Sequence, residues 1–130
     1  MSLNDPLSNV LSKILNADKV GKKECEVIIS SKIILKVLEI MKDNNYIGDF
    51  KEIKEGNKSK LVINLLGKIN KCGSIKPRFS IKVKDFEKYE KRYLPAKDFG
   101  IIILSTNKGL IIHSEAKKQG RGGRLISYTY

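Results

Sequence analysis

The run from Phe99 to Leu104 constrains the fold more than any other stretch of this chain, because it is almost wholly apolar. Six residues is the length of a buried strand and is too short for a helix. The turn signal Thr106–Gly109 comes next, and a second apolar run, Leu110–Ile112, follows it. This order predicts two strands joined by a tight turn, with the first strand inside the core.

The first half of the chain alternates helical and strand periods in the order α-β-α-β-β. Apolar residues at helical spacing follow Asp5-Pro6, which is typical of a helix start, and a second helical pattern follows Ser30 or Ser31. Strand patterns, the last two joined by the turn signal Gly56-Asn57, occupy Glu24–Ile29, Asp49–Glu55 and Lys60–Leu66.

The second half is predicted to be mainly β with short helices. Besides the two strands above, extended segments are expected at Ile69–Lys71, Arg78–Val83 and Arg124–Tyr130. Short helices are expected at Asp85–Tyr93 and at Glu115–Gln119, the latter capped by Ser114. We therefore predict an α+β fold of two small subdomains, residues 1–66 and 67–130.

The charge of the chain is large and uneven. Lysine and arginine number 26 against 14 aspartates and glutamates, a net charge of +12. Residues 1–65 carry 11 basic and 9 acidic side chains, whereas residues 66–130 carry 15 and 5. An excess of this kind is typical of a protein that binds a polyanion, although many soluble proteins are basic without a specific reason. If the charge is functional, the second half is the binding half.

Several classes of protein are not expected from this sequence. No stretch approaches the roughly 18 uncharged apolar residues of a membrane-spanning helix, and the first ten residues lack the pattern of a secretory signal. Cys25 and Cys72 have no paired spacing, so we expect free thiols in a reducing cytoplasm.

Catalytic and metal chemistry is also poorly represented. His113 is the only histidine, and with two distant cysteines it cannot complete the usual zinc set, so no metal or cofactor is expected. A Ser105–His113–Asp98 triad can be drawn on paper, but no nucleophile motif surrounds it. We therefore predict that the chain is not an enzyme.

The turn after the buried strand is the first candidate for binding RNA. It places hydroxyl, amide and ammonium groups on a rigid base, in the order Ser105, Thr106, Asn107, Lys108 and Gly109. Such groups can bind phosphates, ribose 2′-hydroxyls and base edges in the shallow minor groove of RNA. A plain hairpin turn explains the same residues, because Asn and Gly are common in turns.

The second candidate is a glycine loop, in which the backbone N–H groups of glycines approach phosphates and arginines bind them. It consists of Gly120, Arg121, Gly122, Gly123 and Arg124, with Lys118 just before it. A simple turn between a helix and a strand is the alternative. Because both loops flank one strand–helix unit, we expect them to lie close together as one anion site.

Further phosphate contacts are expected from isolated basic positions. Ser31-Lys32 combines a helix start with an ammonium group, and Lys58 and Lys60 flank the predicted turn. Arg78 neighbours an aromatic residue in the basic second half. These assignments rest on electrostatics alone.

Three segments resemble a known family. GIIILSTNKGLI and EAKKQGRGGRLISYTY are similar to the C-terminal signature of the eighth small-subunit ribosomal protein family, with Asn107 where serine is usual. NDPLSNVLSKILNA resembles the N-terminal helix of that family. IKPRFSIKVKDFEKYEKRYLPAKDFG resembles the archaeal and eukaryotic branch. The resemblance covers essentially the whole chain.

The resemblance implies a two-domain α+β protein of the cytoplasmic ribosome with no catalytic activity. Such a protein binds a helical region in the central domain of small-subunit ribosomal RNA early in assembly, beside neighbouring ribosomal proteins. The principal contacts come from the C-terminal domain, which here implies Ser105–Gly109, Gly122 and Gly123. Family members also bind their own messenger RNA to repress translation.

Two other functions remain open from the residues alone. A small nucleotide-processing enzyme that uses the glycine loop would need a metal-binding carboxylate, and Asp98 and Glu115 are the only acids nearby in sequence. A module that only contacts other proteins would bind partners that resist high salt.

Overall fold

The computed structural model describes residues 6–28, 32–56, 58–75, 78, 80–96 and 99–130. The chain forms two compact units, residues 1–71 and 72–130. The subdomain bounds expected from the sequence, 1–66 and 67–130, stay a prediction. The α+β class is confirmed, with helices and an antiparallel sheet in each unit.

The first unit has the expected order α-β-α-β-β. Its elements are α1 (Pro6–Lys19), β1 (Glu24–Ile28), α2 (Lys32–Asp43), β2 (Ile47–Glu55) and β3 (Lys58–Leu65). The strands form an antiparallel sheet in the order β1-β3-β2. Residues Ser30 and Ser31, one of which was expected to cap α2, lie outside the described residues.

The core of the first unit is formed by its two helices, which pack on each other, and by its sheet, where α1 contacts β1 and α2 contacts β2. Apolar residues three and four positions apart share one helix face, so α1 buries Leu11 and Ile14, and α2 buries Ile34 and Leu38. All four are fully enclosed, as is Ile63 of β3. The helical spacing therefore predicted the buried face of each helix correctly.

A buried carboxylate holds the chain after β3. Asp18 of α1 accepts the backbone N–H of Gly67 at 3.0 Å on one oxygen and that of Ile69 at 3.3 Å on the other. The extended segment expected at Ile69–Lys71 is described by the structure but forms no sheet pairing. The N–H of Ile69 bonds to a side chain rather than to a neighbouring strand, and the next strand begins at Cys72.

The second unit is mainly β. It contains β4 (Cys72–Ser74), β5 (Ser80–Ile81), a 3₁₀ turn (Val83–Asp85), α3 (Phe86–Tyr93), β6 (Ile101–Thr106), β7 (Gly109–Ile112), α4 (His113–Gln119) and β8 (Gly123–Thr129). The main sheet runs β4-β8-β6-β7, and β5 also pairs with β8. All pairings are antiparallel.

The predicted buried strand Phe99–Leu104 corresponds to β6, the central strand of this sheet, but β6 begins at Ile101, and Phe99 is 48% exposed and forms only an isolated bridge with Ala96. Ile101, Ile102, Ile103 and Leu104 are all buried, so both faces of β6 are covered at these four positions, whereas Ser105 and Thr106 are half-buried. Ile102 and Leu104 pack in a cluster with Phe86 of α3 and Ala116 of α4. The turn that follows β6 therefore stands on the most enclosed strand of the unit.

Two details of the second unit differ from expectation. Within the segment predicted as extended, Arg78–Val83, ladder pairs are formed by Ser80 and Ile81, and the backbone turns into the 3₁₀ segment at Val83, while Phe79 lies outside the described residues. Ser114 does not cap α4. The helix begins two residues earlier than predicted, at His113, with Ile112 at the N-cap and no side-chain cap bond.

Candidate nucleic-acid interface

The turn between β6 and β7 is held by one threonine. The last pair of the hairpin is Thr106 with Gly109, so Asn107 and Lys108 form its exposed tip. The Thr106 hydroxyl donates to the Gly109 carbonyl at 2.9 Å and accepts the Lys108 N–H at 3.2 Å. Gly109 has φ +113°, which favours glycine. The single proton of the Thr106 hydroxyl is thus used inside the turn.

Replacing Thr106 with valine tests this arrangement. Valine keeps the shape but removes both hydrogen bonds, so we expect a loss of about 1 kcal/mol in the free energy of unfolding. Faster amide exchange should appear at Lys108. Thr106→Ser, which keeps the hydroxyl, is the matched control. Unchanged exchange at Lys108 in the valine variant would contradict this role.

The glycine loop begins at the end of α4. Gly120 takes φ +66° at the C-cap, where its N–H donates to the carbonyls of Ala116 and Lys117. The N–H of Arg121 also donates to the Ala116 carbonyl, at 2.9 Å. This is a common way to end a helix, and it explains one glycine of the loop without reference to a ligand.

The other two glycines allow close approach of neighbouring strands. A Cβ atom on Gly122 would lie 2.4 Å from the Ile81 carbonyl oxygen of β5. A Cβ atom on Gly123 would lie 2.6 Å from the Ser105 carbonyl oxygen of β6. The helix-to-strand interpretation therefore accounts for the glycines, and their predicted contact with phosphates stays a prediction.

The two loops meet at one place on the sheet. Arg124 of β8 pairs with Ser105 of β6 on one side and with Ser80 of β5 on the other. The result is an open concavity of about 330 Å³, the composite surface, lined by Ser80, Ser105, Thr106, Asn107, Gly122, Gly123 and Arg124. Hydroxyl, amide, guanidinium and backbone groups thus face one space, which suits a phosphate–sugar backbone.

Arg124 lines the composite surface, and Lys108, Arg121 and Lys118 lie within four residues of its lining residues along the chain. Lys108 and Arg124 are exposed, Arg121 is half-buried, and the side chain of Lys118 is 77% exposed. Two positions were missed by sequence reasoning. Ser80 lines the surface, and the Cα of Lys82 would lie 3.1 Å from a Cβ on Gly122. The acid-free stretch from Lys68 to Lys84 was the available signal for Lys82.

A comparison with protein families bears on the function of the chain as a whole. The model of the family described as ribosomal protein S8 matches residues 5–130. The chain belongs to the ribosomal protein S8 family. An S8 protein is a structural component of the small ribosomal subunit that binds ribosomal RNA beside other ribosomal proteins, and it is not an enzyme. The family resemblance is confirmed, and placement in the archaeal and eukaryotic branch stays a prediction.

The remaining predicted contacts of this S8-family chain are not among the lining residues of the composite surface, and some lie outside the described residues. Lys32 is the exposed first residue of α2, and Lys60 is half-buried on β3. Lys58 also belongs to β3, but its side chain, like all of Ser31, lies outside what is described. Arg78 is exposed and belongs to no strand.

The enzymatic alternative for this S8-family chain would require a metal-binding carboxylate near the glycine loop. Among the described residues, no group of three His, Cys, Asp or Glu side chains is placed to hold a metal ion. Glu115 Oε1 lies 3.9 Å from Lys118 Nζ, and Asp98 falls outside the described residues.

Both cysteines are free thiols, and burial raises the pKa of Cys25. No described helix is long and apolar enough to cross a membrane.

Proposed function

We propose that this chain binds a helical region in the central domain of small-subunit ribosomal RNA through the composite surface, and that this binding supports early assembly of the subunit. The observation that carries the proposal is the meeting of the two loops, where Ser105 pairs with Arg124 beneath the exposed tip of the turn. Cytoplasmic location of the ribosome-bound chain is part of the proposal.

The exposed tip suits the minor groove of an RNA helix. That groove is wide and shallow and displays 2′-hydroxyls and base edges, whereas the deep major groove excludes side chains. Asn107 can donate and accept at once, which fits a base edge or a 2′-hydroxyl. Because Thr106 is held inside the turn, we assign base and ribose contacts mainly to Ser105 and Asn107.

The cationic rim suits the flanking phosphates. Lys118 and Arg121 lie at the end of α4, Arg124 lies at the start of β8, and Lys108 lies at the tip. Contacts of this kind position a protein on a helix without reading its sequence. They also release counterions, so the observed affinity falls as salt rises.

The direct test is binding of the full chain to a central-domain helix of small-subunit ribosomal RNA, beside a random RNA duplex of equal length, at several salt concentrations. We expect binding to the ribosomal helix to persist at salt concentrations that abolish binding to the random duplex. Coincident curves for the two RNAs would refute specific recognition. Turnover of nucleotides that depends on a metal ion would favour the enzymatic alternative instead.

The cationic rim makes a separate prediction about salt. Lys118→Ala and Arg121→Ala should weaken binding to both RNAs and flatten the plot of log K against log salt by about 0.7–0.9 for each phosphate that the variant no longer neutralises. Lys36→Ala is a matched control, because Lys36 pairs with Glu39 at 3.9 Å and i,i+3 spacing, as Lys118 does with Glu115. A slope that stays unchanged in the Lys118 and Arg121 variants would count against phosphate binding by these side chains.

Repression of translation through the chain's own messenger RNA is a further proposal that rests on the family resemblance. It requires a messenger helix that competes with the ribosomal helix for the composite surface. A messenger RNA that binds without displacing the ribosomal helix would contradict it.

A further inference from the structure

A buried polar cluster joins α3 and α4 of the second unit, and its members Glu90, His113 and Lys117 are not among the lining residues of the composite surface. The side chains of Glu90 in α3 and His113 in α4 are only 8% and 7% exposed. Lys117, one turn along α4 from His113, pairs with the same carboxylate oxygen of Glu90. Burial of a charged group lowers the stability of a protein unless the group is paired, so the pairing of Glu90 with Lys117 and His113 is required for the cluster to be tolerated in the core.

The imidazole of His113 accepts a backbone N–H of β6 beyond the last residue pair of the β6–β7 ladder. The β6–β7 ladder ends at the pair Ile103 and Ile112, and His113 then begins α4. The N–H of Ile102, the next group along β6, donates to His113 Nδ1 at 3.1 Å. A nitrogen that accepts a hydrogen bond carries no proton, so the neutral ring is protonated at Nε2.

The other edge of the ring faces α3. His113 Nε2 lies 3.8 Å from Glu90 Oε1, the oxygen that Lys117 also contacts. Glu90 of α3 thus faces both His113 and Lys117 of α4, while Ile102 of β6 donates its N–H to His113. The first turn of α4 is attached to both a helix and the central strand.

The position of α4 sets the position of the glycine loop. The N–H groups of Gly120 and Arg121 donate to carbonyls of α4, so the loop starts at a fixed point on that helix. The loop then enters β8, where Gly123 lies against the Ser105 carbonyl at the base of the turn. A displacement of α4 therefore changes the distance between the glycine loop and the Ser105–Gly109 turn, which together form the composite surface.

We propose that His113 is a positioning residue for RNA recognition, acting through α4 to hold the glycine loop against the Ser105–Gly109 turn. This rests on the proposed function of the composite surface. Its Nδ1 acceptor is the part that matters most, because Ile102 lies on the same strand that carries the turn. Glu90 and Lys117 keep the ring in the orientation that presents this acceptor.

Three substitutions separate the roles of the ring. His113→Asn can present an oxygen near the position of Nδ1, His113→Gln can place a donor near Nε2, and His113→Leu keeps volume without either group. We expect the leucine and glutamine variants to lose about tenfold in preference for the ribosomal helix over the random duplex. The asparagine variant should stay within about threefold of the wild type.

Ile75→Val controls for general loss of stability. Ile75 shares the core cluster of Ile102 and Ala116, and its N–H donates to the Ile126 carbonyl of β8, so valine there removes one core methylene while leaving the polar contacts of His113 in place. Binding is measured at a temperature at which circular dichroism shows every variant folded. Amide chemical shifts of residues 121–124, recorded without RNA, should move in the leucine variant and stay in place in Ile75→Val.

The outcomes are distinct. A folded leucine variant with wild-type preference and unmoved loop amides would overturn the inference, as would equal losses in Ile75→Val. Nitrogen-15 shifts that place the imidazole proton on Nδ1 would also overturn it. A wild-type chain that shows no preference between the two RNAs would refute the proposed function, and in that case the positioning role for RNA fails with it.

Discussion

Replacing Gly123 with alanine is expected to lower the free energy of unfolding by about 1–3 kcal/mol, because the new methyl group would overlap backbone that cannot easily move. The methyl carbon would lie 2.6 Å from the Ser105 carbonyl oxygen and 3.2 Å from Thr106 Cγ2. Relief of this overlap requires β8 to move away from β6 at the base of the turn. Since that junction joins the two halves of the composite surface, binding to the ribosomal helix should weaken about tenfold or more.

Gly122→Ala should behave similarly, because its methyl carbon would lie 2.4 Å from the Ile81 carbonyl oxygen. Gly73→Ala is the matched control in the same unit. There the nearest atom is the Tyr128 hydroxyl at 3.1 Å, at the end of a side chain that can shift. Thermal unfolding and RNA binding are measured for all three. Wild-type binding by Gly123→Ala would show that the close approach of β8 to β6 does not shape the interface.

Asn107→Ala should weaken binding to the ribosomal helix by about 1–3 kcal/mol and leave binding to the random duplex nearly unchanged. Asn107 lies at the exposed tip. Positive φ among the described non-glycine residues occurs only at Asn45, so alanine at 107 does not strain the turn. A weaker complex would therefore report a missing interaction with base or ribose. Equilibrium binding to both RNAs gives the result directly.

Two variants serve as controls for that experiment. Asn107→Ser keeps a hydrogen-bonding side chain of the kind usual in the family at this position, so it should retain most of the affinity. Asn16→Ala removes an exposed asparagine from α1 and should change neither affinity. Equal losses on the ribosomal and random RNAs for Asn107→Ala would refute a specific role for the tip.

The local signals in the sequence predicted much of this fold. The apolar run before Ser105 and the turn residues after it were sufficient to place a buried strand and a hairpin, because a strand enclosed on both faces needs no alternation. The helical spacing likewise identified the buried residues of α1 and α2, since period and burial are properties of a single element. The contributions of Ser105–Lys108 to RNA binding stay predictions.

Features that depend on distant residues were not predictable. The partners of Asp18 lie 49 and 51 residues along the chain, so no local pattern indicated that the Gly67–Ile69 segment is held by a side chain. The start of α4 differed because the His113 ring meets β6 there. The glycines at 122 and 123 suggested phosphate binding by composition, whereas their close neighbours come from β5 and β6.

The central claim is that the composite surface is where this S8-family chain meets ribosomal RNA, and an amide map by solution NMR tests it most directly. The full chain is titrated with the central-domain helix, with the random duplex as a parallel sample. We predict that the largest shift changes fall at residues 105–109 and 120–124 and occur only with the ribosomal helix. Changes of equal size with both RNAs, or concentrated outside these two segments, would contradict the account.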